Sequence, residues 1–195
     1  VSLLPMCKDQ YDITQLRLFY HLISATFIVP PEFVKALIDV DDREQRPELV
    51  YAILKATAKS NVTKEFIELL KKCNDEVLGR IWRLPDIFNT MHDLILKGDV
   101  VAPLFLLFSI SKNHDAAIAL TDSQLLASLI QMKGHQTQRL QIFTSLCSFE
   151  DFCTKLKDID GVLHLLVSSL SEKQLVGSAV KLIGALSSHS IGCQI

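Results

Sequence analysis

Glycine and proline are scarce in this chain of 195 residues, at seven and six. So few breakers exclude an architecture of many short strands joined by tight turns and favour helices. An excess of charge is also missing. The net charge is −2, and lysine and arginine are spread along the chain. That excludes the basic footprint of a nucleic-acid binder. No apolar run is long enough to cross a bilayer. The most apolar stretch, VVAPLFLLFSI at residues 100–110, is too short and contains Pro103. No membrane insertion is expected. The first residues lack a basic region ahead of an apolar run, so no signal peptide is read.

Paired cysteines are absent as well. Cys7, Cys73, Cys147, Cys153 and Cys193 are odd in number and form no CxxC pair. That argues against a disulfide framework and for buried free thiols in a reducing compartment. The expected location is intracellular and cytoplasmic, with the nucleus also open. The start at Val1 and the end on IGCQI lead to the expectation that this is a piece of a longer protein.

Chemistry-bearing motifs are missing too. The chain has no GxSxG, HExxH, GxxxxGKS, GxGxxG or EF-hand loop. His92-Asp93 and His114-Asp115 are adjacent pairs, and neighbours on a helix point about 100° apart. Such pairs do not by themselves assemble a base and its orienter. Cys147, Cys153 and His164 lack both a compact ligand spacing and a fourth ligand, so core cysteines are the better reading than zinc. Asn61-Val62-Thr63 has the form of a glycosylation sequon. Asp39, Asp41, Asp42 and Glu44 read as a solvated turn between helices. No cofactor or metal is expected.

What is present is a repeat. An apolar pair followed by an apolar residue one turn later occurs at Leu18-Phe19 with Leu22 and at Phe66-Ile67 with Leu70. It recurs at Leu106-Leu107 with Ile110, Ile142-Phe143 with Leu146, and Leu182-Ile183 with Leu186. The steps between copies are 48, 40, 36 and 40 residues. A stride near 40 marks helical repeat proteins. Helix starts come in phase. Pro47 and Pro85 each open an apolar helical pattern, 38 residues apart, and Asp122 and Asp160 do the same at the same interval. A shorter helix precedes each unit, with candidates at 32–40, 75–84, 114–122 and 149–159. Ser60, Asn61 and Thr63 are expected to cap the helix that follows them. The pattern is three helices per unit.

The segment DIDGVLHLLVSSLSEKQLVGSAVKLIGALSS, residues 158–188, resembles an armadillo repeat. Gly161 opens its second helix, and Val162, Leu165 and Leu166 face the core. SEK is the turn, and Ala179, Leu182, Ile183 and Leu186 form the apolar face of the third helix. The resemblance to the armadillo and HEAT repeat families implies an all-α, right-handed alpha-alpha superhelix. It implies about four full repeats plus a partial one at the start, in a single domain over residues 1–195. It also implies that the segment continues into, or caps against, further sequence. Armadillo proteins that clamp extended peptides carry an asparagine late in the third helix. The matching positions are Leu69, Ser109, Ser145 and Ala185, so an asparagine ladder is not expected.

The function so implied is a non-enzymatic protein–protein interaction module, a scaffold or regulatory domain that binds a protein partner through the solenoid surface. Two alternatives stand beside it. One is a regulatory domain acting in cis on an enzyme such as a protein kinase. The other is an all-helical enzyme or small-molecule binder, which would need a deep polar pocket holding two of the histidines. Candidate partner-binding residues are Phe105 and Phe108. They occupy third-helix positions where other units carry Glu65 and Glu68, Gln141 and Thr144, or Lys181 and Gly184. Either the two rings form a docking patch or this helix is buried all round. Trp82, flanked by Arg80 and Arg83, is either core or an interface anchor.

Overall fold

The computed structural model describes residues 31, 34, 35, 47–156, 159 and 161–189. Among them are eleven helices and no strand. In chain order these are α1 (Pro47–Thr57), α2 (Thr63–Lys72), α3 (Asp75–Ile81), α4 (Ile87–Leu96), α5 (Val101–Ile110), α6 (His114–Thr121), α7 (Gln124–Gln131), α8 (Gln136–Leu146), α9 (Glu150–Leu156), α10 (Val162–Ser171) and α11 (Val176–Ser187).

The helices fall into the triplets α3–α4–α5, α6–α7–α8 and α9–α10–α11, each ending on a helix of 10 to 12 residues, with α1 and α2 as a leading pair. Contacts follow the same period of three. Third helices touch third helices, α2 on α5, α5 on α8 and α8 on α11. Second helices touch second helices, α1 on α4 and α4 on α7. The short α6 and α9 also touch. Inside units, α1 packs on α2, α4 on α5 and α10 on α11. Each helix therefore finds its partners about one turn of the pattern away in sequence. One shared core runs through the stack, from Val34 and Leu49 to Leu182 and Leu186.

Polar links between units keep the same stride. Tyr51 Oη lies 3.1 Å from Thr90 Oγ1. Gln136 Nε2 donates to Glu172 Oε1 at 3.1 Å, and Lys155 Nζ donates to Asp122 Oδ1 at 2.8 Å. A His189 ring nitrogen sits 3.0 Å from the Cys147 carbonyl. These pairs join residues 33 to 42 apart in the chain.

Local chemistry sets the helix ends. Asn74 opens α3 by accepting from Val77 N at 2.8 Å. Asn113 opens α6 by accepting from Ala116 N at 3.0 Å. Each satisfies an N–H that has no partner inside its helix. Pro103 lies in the first turn of α5, where a missing N–H costs nothing. Arg139 of α8 is buried and donates through one guanidinium nitrogen to the carbonyls of Leu129 and Ile130, at 3.0 and 3.2 Å. It thus closes the C-terminal end of α7, where a cation also suits the helix dipole. Burial away from water pulls the Arg139 guanidinium below its ordinary value.

Several expectations need correction. Ser60 and Asn61 do not cap α2. The capping position is Val62, which makes no side-chain cap bond and is fully buried, so packing rather than polar capping places this start. Helix α4 starts at Ile87, two residues after Pro85, because Asp86 adopts a left-handed conformation at φ 60°. In the first described third helix, Leu69 is buried and Ile67 is half-buried. Phe66 thus takes the place of Leu107, 41 residues on, and the register there is one residue out. In the last, Ile183 is exposed rather than in the core. The pattern Leu18-Phe19-Leu22, the acidic cluster Asp39, Asp41, Asp42 and Glu44, Asp160, and all of 32–40 except Val34 and Lys35 lie outside the described residues.

Candidate functional site

Helix α5 is apolar along its whole length, yet it buries only part of its circumference. Ala102, Pro103, Leu104, Leu106, Leu107 and Ile110 are buried. Val101, Phe105, Phe108 and Lys112 are exposed. Their spacing of i, i+4, i+7 and i+11 draws one stripe along the helix. Phe105 and Phe108 each keep 39% of their surface. The helix is therefore not buried all round. The corresponding surface of α8 carries exposed Gln141 and half-buried Thr144, and that of α11 carries exposed Lys181. Phenylalanine at these positions sets α5 apart from its neighbours.

Phe108 stands between two hollows. One, of about 330 Å³, runs across α5, α8 and α11 and is lined by Phe108, Lys112, Gln141, Thr144, Ser145, Ser178 and Lys181. The other, of about 390 Å³, lies between α3 and α5 and is lined by Asp75, Leu78, Gly79, Phe108, Ser109, Ile110, Lys112 and Asn113. The Lys112 ammonium lies 5.7 Å from the centre of the Phe108 ring, within reach of a cation–π attraction. No histidine lines either hollow, and both are open to solvent on one side. The two hollows offer the Phe108 ring, amides, hydroxyls, two ammonium groups and the Asp75 carboxylate.

The second candidate cluster lies at the other end of α3. Trp82 caps the helix C-terminus, is half-buried and packs against the core. Its indole N–H is buried without a hydrogen-bond partner. Arg83 covers the ring, its guanidinium carbon 5.1 Å from the centroid. Arg83 also reaches Asp115 at 3.8 Å, an exposed pair that contributes little. Arg80 is exposed. Of the two hollows that take in Phe108, one is lined by Asp75, Leu78 and Gly79 of α3. Trp82, Arg80 and Arg83 line neither hollow.

The other sequence candidates do not gather into chemistry. Cys147 and Cys153 are buried, and the Cys153 thiol donates to the Cys147 carbonyl at 3.4 Å. Burial pushes both thiols up from their ordinary values. His164 is exposed on α10. Among the described residues no group of three or more His, Cys, Asp or Glu could hold a metal ion, and no helix is long and apolar enough to cross a membrane.

One cluster was not foreseen. His114 lies 3.2 Å from Asp151 on α9 through Nε2, 3.6 Å from Asp115 through Nδ1, and edge-on to Phe149 with ring centres 5.2 Å apart. Together with Arg83–Asp115 and Lys155–Asp122 it forms a polar ladder along the short first helices. The signal for it was the stride itself: Asp151 follows His114 by 37 residues. Lys155 holds the Asp122 carboxyl below the usual carboxylate range through its hydrogen bond and its charge.

No family profile, no curated protein and no solved structure matches this chain.

Proposed function

We propose that this chain is a right-handed, armadillo-like stack of three-helix units and that it acts as a non-enzymatic protein-interaction module. The partner docks along the exposed face of the third helices, with Phe105 and Phe108 as its anchors. One observation carries the reading. Helix α5 exposes two aromatic rings where α8 and α11 carry Gln141, Thr144, Lys181 and Gly184. Phe108 borders two hollows, and buried aromatic anchors carry much of the energy of protein interfaces. Lys112, Lys181 and Gln141 supply the polar margin around them. The three-helix period of the contacts supports the repeat reading, because each unit covers only its neighbours.

The test is affinity capture from cell lysate with the wild-type chain and with a Phe105→Glu, Phe108→Glu double variant. Both sites are partly exposed, so the variant should keep its helical circular dichroism. The reading expects at least one protein captured by the wild type and lost by the folded variant. Capture of the same proteins by both overturns the assignment of this face.

A further inference from the structure

We infer that the hollow across α5, α8 and α11 takes an acidic segment of a partner protein, with a carboxylate side chain between Lys112 and Lys181 and an apolar side chain against Phe108. The inference rests on the third-helix reading above and adds the partner's chemistry to it.

The observation is a contrast in how cations are used. Along the short helices they are matched. Lys155 Nζ lies 2.8 Å from Asp122 Oδ1, and Arg83 reaches Asp115 at 3.8 Å. In the hollow they are not. Lys112, just past the end of α5, and Lys181, on α11, both line it, and no aspartate or glutamate does. Neither lysine forms an ion pair with any described residue. Asp75 lines the adjoining hollow together with Lys112, yet the two make no ion pair. The Lys112 ammonium instead lies 5.7 Å from the centre of the Phe108 ring. Two ammonium groups in one hollow without a counter-charge leave a positive potential there. The chain as a whole carries −2, so this attraction for an anion is local to the hollow.

The rest of the lining selects the anion. Phe108 is exposed beside Lys112. An apolar side chain that covers the ring also shields a carboxylate–Lys112 pair from water, and shielding strengthens such a pair. Gln141 and Ser178 add an amide and a hydroxyl whose side chains bond to no described residue. A protein segment supplies a carboxylate and an apolar group from neighbouring side chains. Val101 and Phe105 continue the exposed stripe along α5 and give its further apolar side chains a place. Two cations do not make the long basic track of a nucleic-acid site or the basic cluster that holds a protein on a membrane surface.

The experiment is selection from a display library of random linear peptides on the wild-type chain, followed by fluorescence anisotropy of the enriched peptides. Each peptide is titrated with the wild type, a Lys112→Glu, Lys181→Glu double variant and a Phe105→Ala, Phe108→Ala double variant. All four positions are exposed, so the fold should hold, and circular dichroism checks it. The expected result is enrichment of peptides with aspartate or glutamate beside an apolar residue, bound about tenfold or more weakly by the lysine variant and weakened by added salt. Enrichment of neutral or basic peptides overturns the inference, as do acidic peptides that bind the lysine variant as tightly as the wild type. Loss of binding in the phenylalanine variant alone leaves the third-helix reading standing and overturns the acidic partner. Equal binding by the wild type and both variants overturns the two together. A selection that enriches no peptide also overturns the inference, and retention of phosphatidylserine vesicles by the wild type but not the lysine variant would then place a lipid surface on the hollow.

Discussion

Gly161→Ala should be among the more damaging single-methyl additions in this chain, and its cost can be built from two parts. Gly161 stands at the N-cap of α10 with φ 96° and ψ −9°, in the left-handed region. An L-residue there costs about 1–2 kcal/mol. The added methyl would also lie 3.0 Å from Ile130 Cγ2 of the preceding unit. Forcing a methyl into a packed contact costs a further 1–3 kcal/mol or so. The sum is roughly 2–5 kcal/mol, reduced by a few tenths because alanine also restricts the unfolded chain.

Gly98 supplies the control. Its φ is 89°, but nothing lies within 4 Å of its Cβ position. Gly98→Ala should therefore cost only the backbone part, about 1 kcal/mol. Urea unfolding followed by far-ultraviolet circular dichroism measures both, provided the slope is unchanged between variants. In an Ile130→Ala background the cost of Gly161→Ala should fall to that of Gly98→Ala. Equal costs at the two glycines in the wild-type background, or no relief from Ile130→Ala, would refute the close approach of Gly161 to Ile130.

Burial sets the remaining expectations. Leu107 is fully buried on α5, so Leu107→Ala should destabilise the fold by roughly 2–5 kcal/mol in the same urea assay; a change near zero would mean the core face of α5 is misassigned. Arg139→Ala leaves the Leu129 and Ile130 carbonyls without their donor and should cost about 2–4 kcal/mol, whereas Arg139→Lys should recover part of that loss. Cys147 and Cys153 are pushed up by burial, so mass mapping after iodoacetamide treatment at mildly alkaline pH should find both unlabelled in the folded chain and labelled in guanidinium. The same shift fixes a sign. Above the ordinary thiol value of about 8.5, the unfolded chain releases protons that the folded chain retains, so stability should decline as pH rises past it.

Part of the helix order was legible from the spacing of the apolar residues. The candidates at 75–84, 114–122 and 149–159 contain α3, α6 and α9, and the apolar pairs at Leu106-Leu107 and Ile142-Phe143 are buried. The misses have physical causes. Val62 starts α2 by packing, which no capping motif announces. Ile183 carries the right residue type for a core position, but burial depends on what lies above it, and sequence spacing does not show the cover. Arg139 reads as a surface charge until α7 is placed beside it. For the candidate site, the pattern singled out Phe105 and Phe108 because their neighbours in other units are polar. Only the placement of α3, α8 and α11 shows that Phe108 borders two hollows.

The central claim is that partners meet the third-helix face at the aromatic stripe. Its most direct test is site-specific photocrosslinking in cell lysate. A benzophenone side chain is placed at Phe108 and, as a control, at Leu96, which is 68% exposed on α4. The account predicts a discrete protein adduct from position 108 and none from position 96. No adduct from position 108, or the same adducts from both positions, would contradict it.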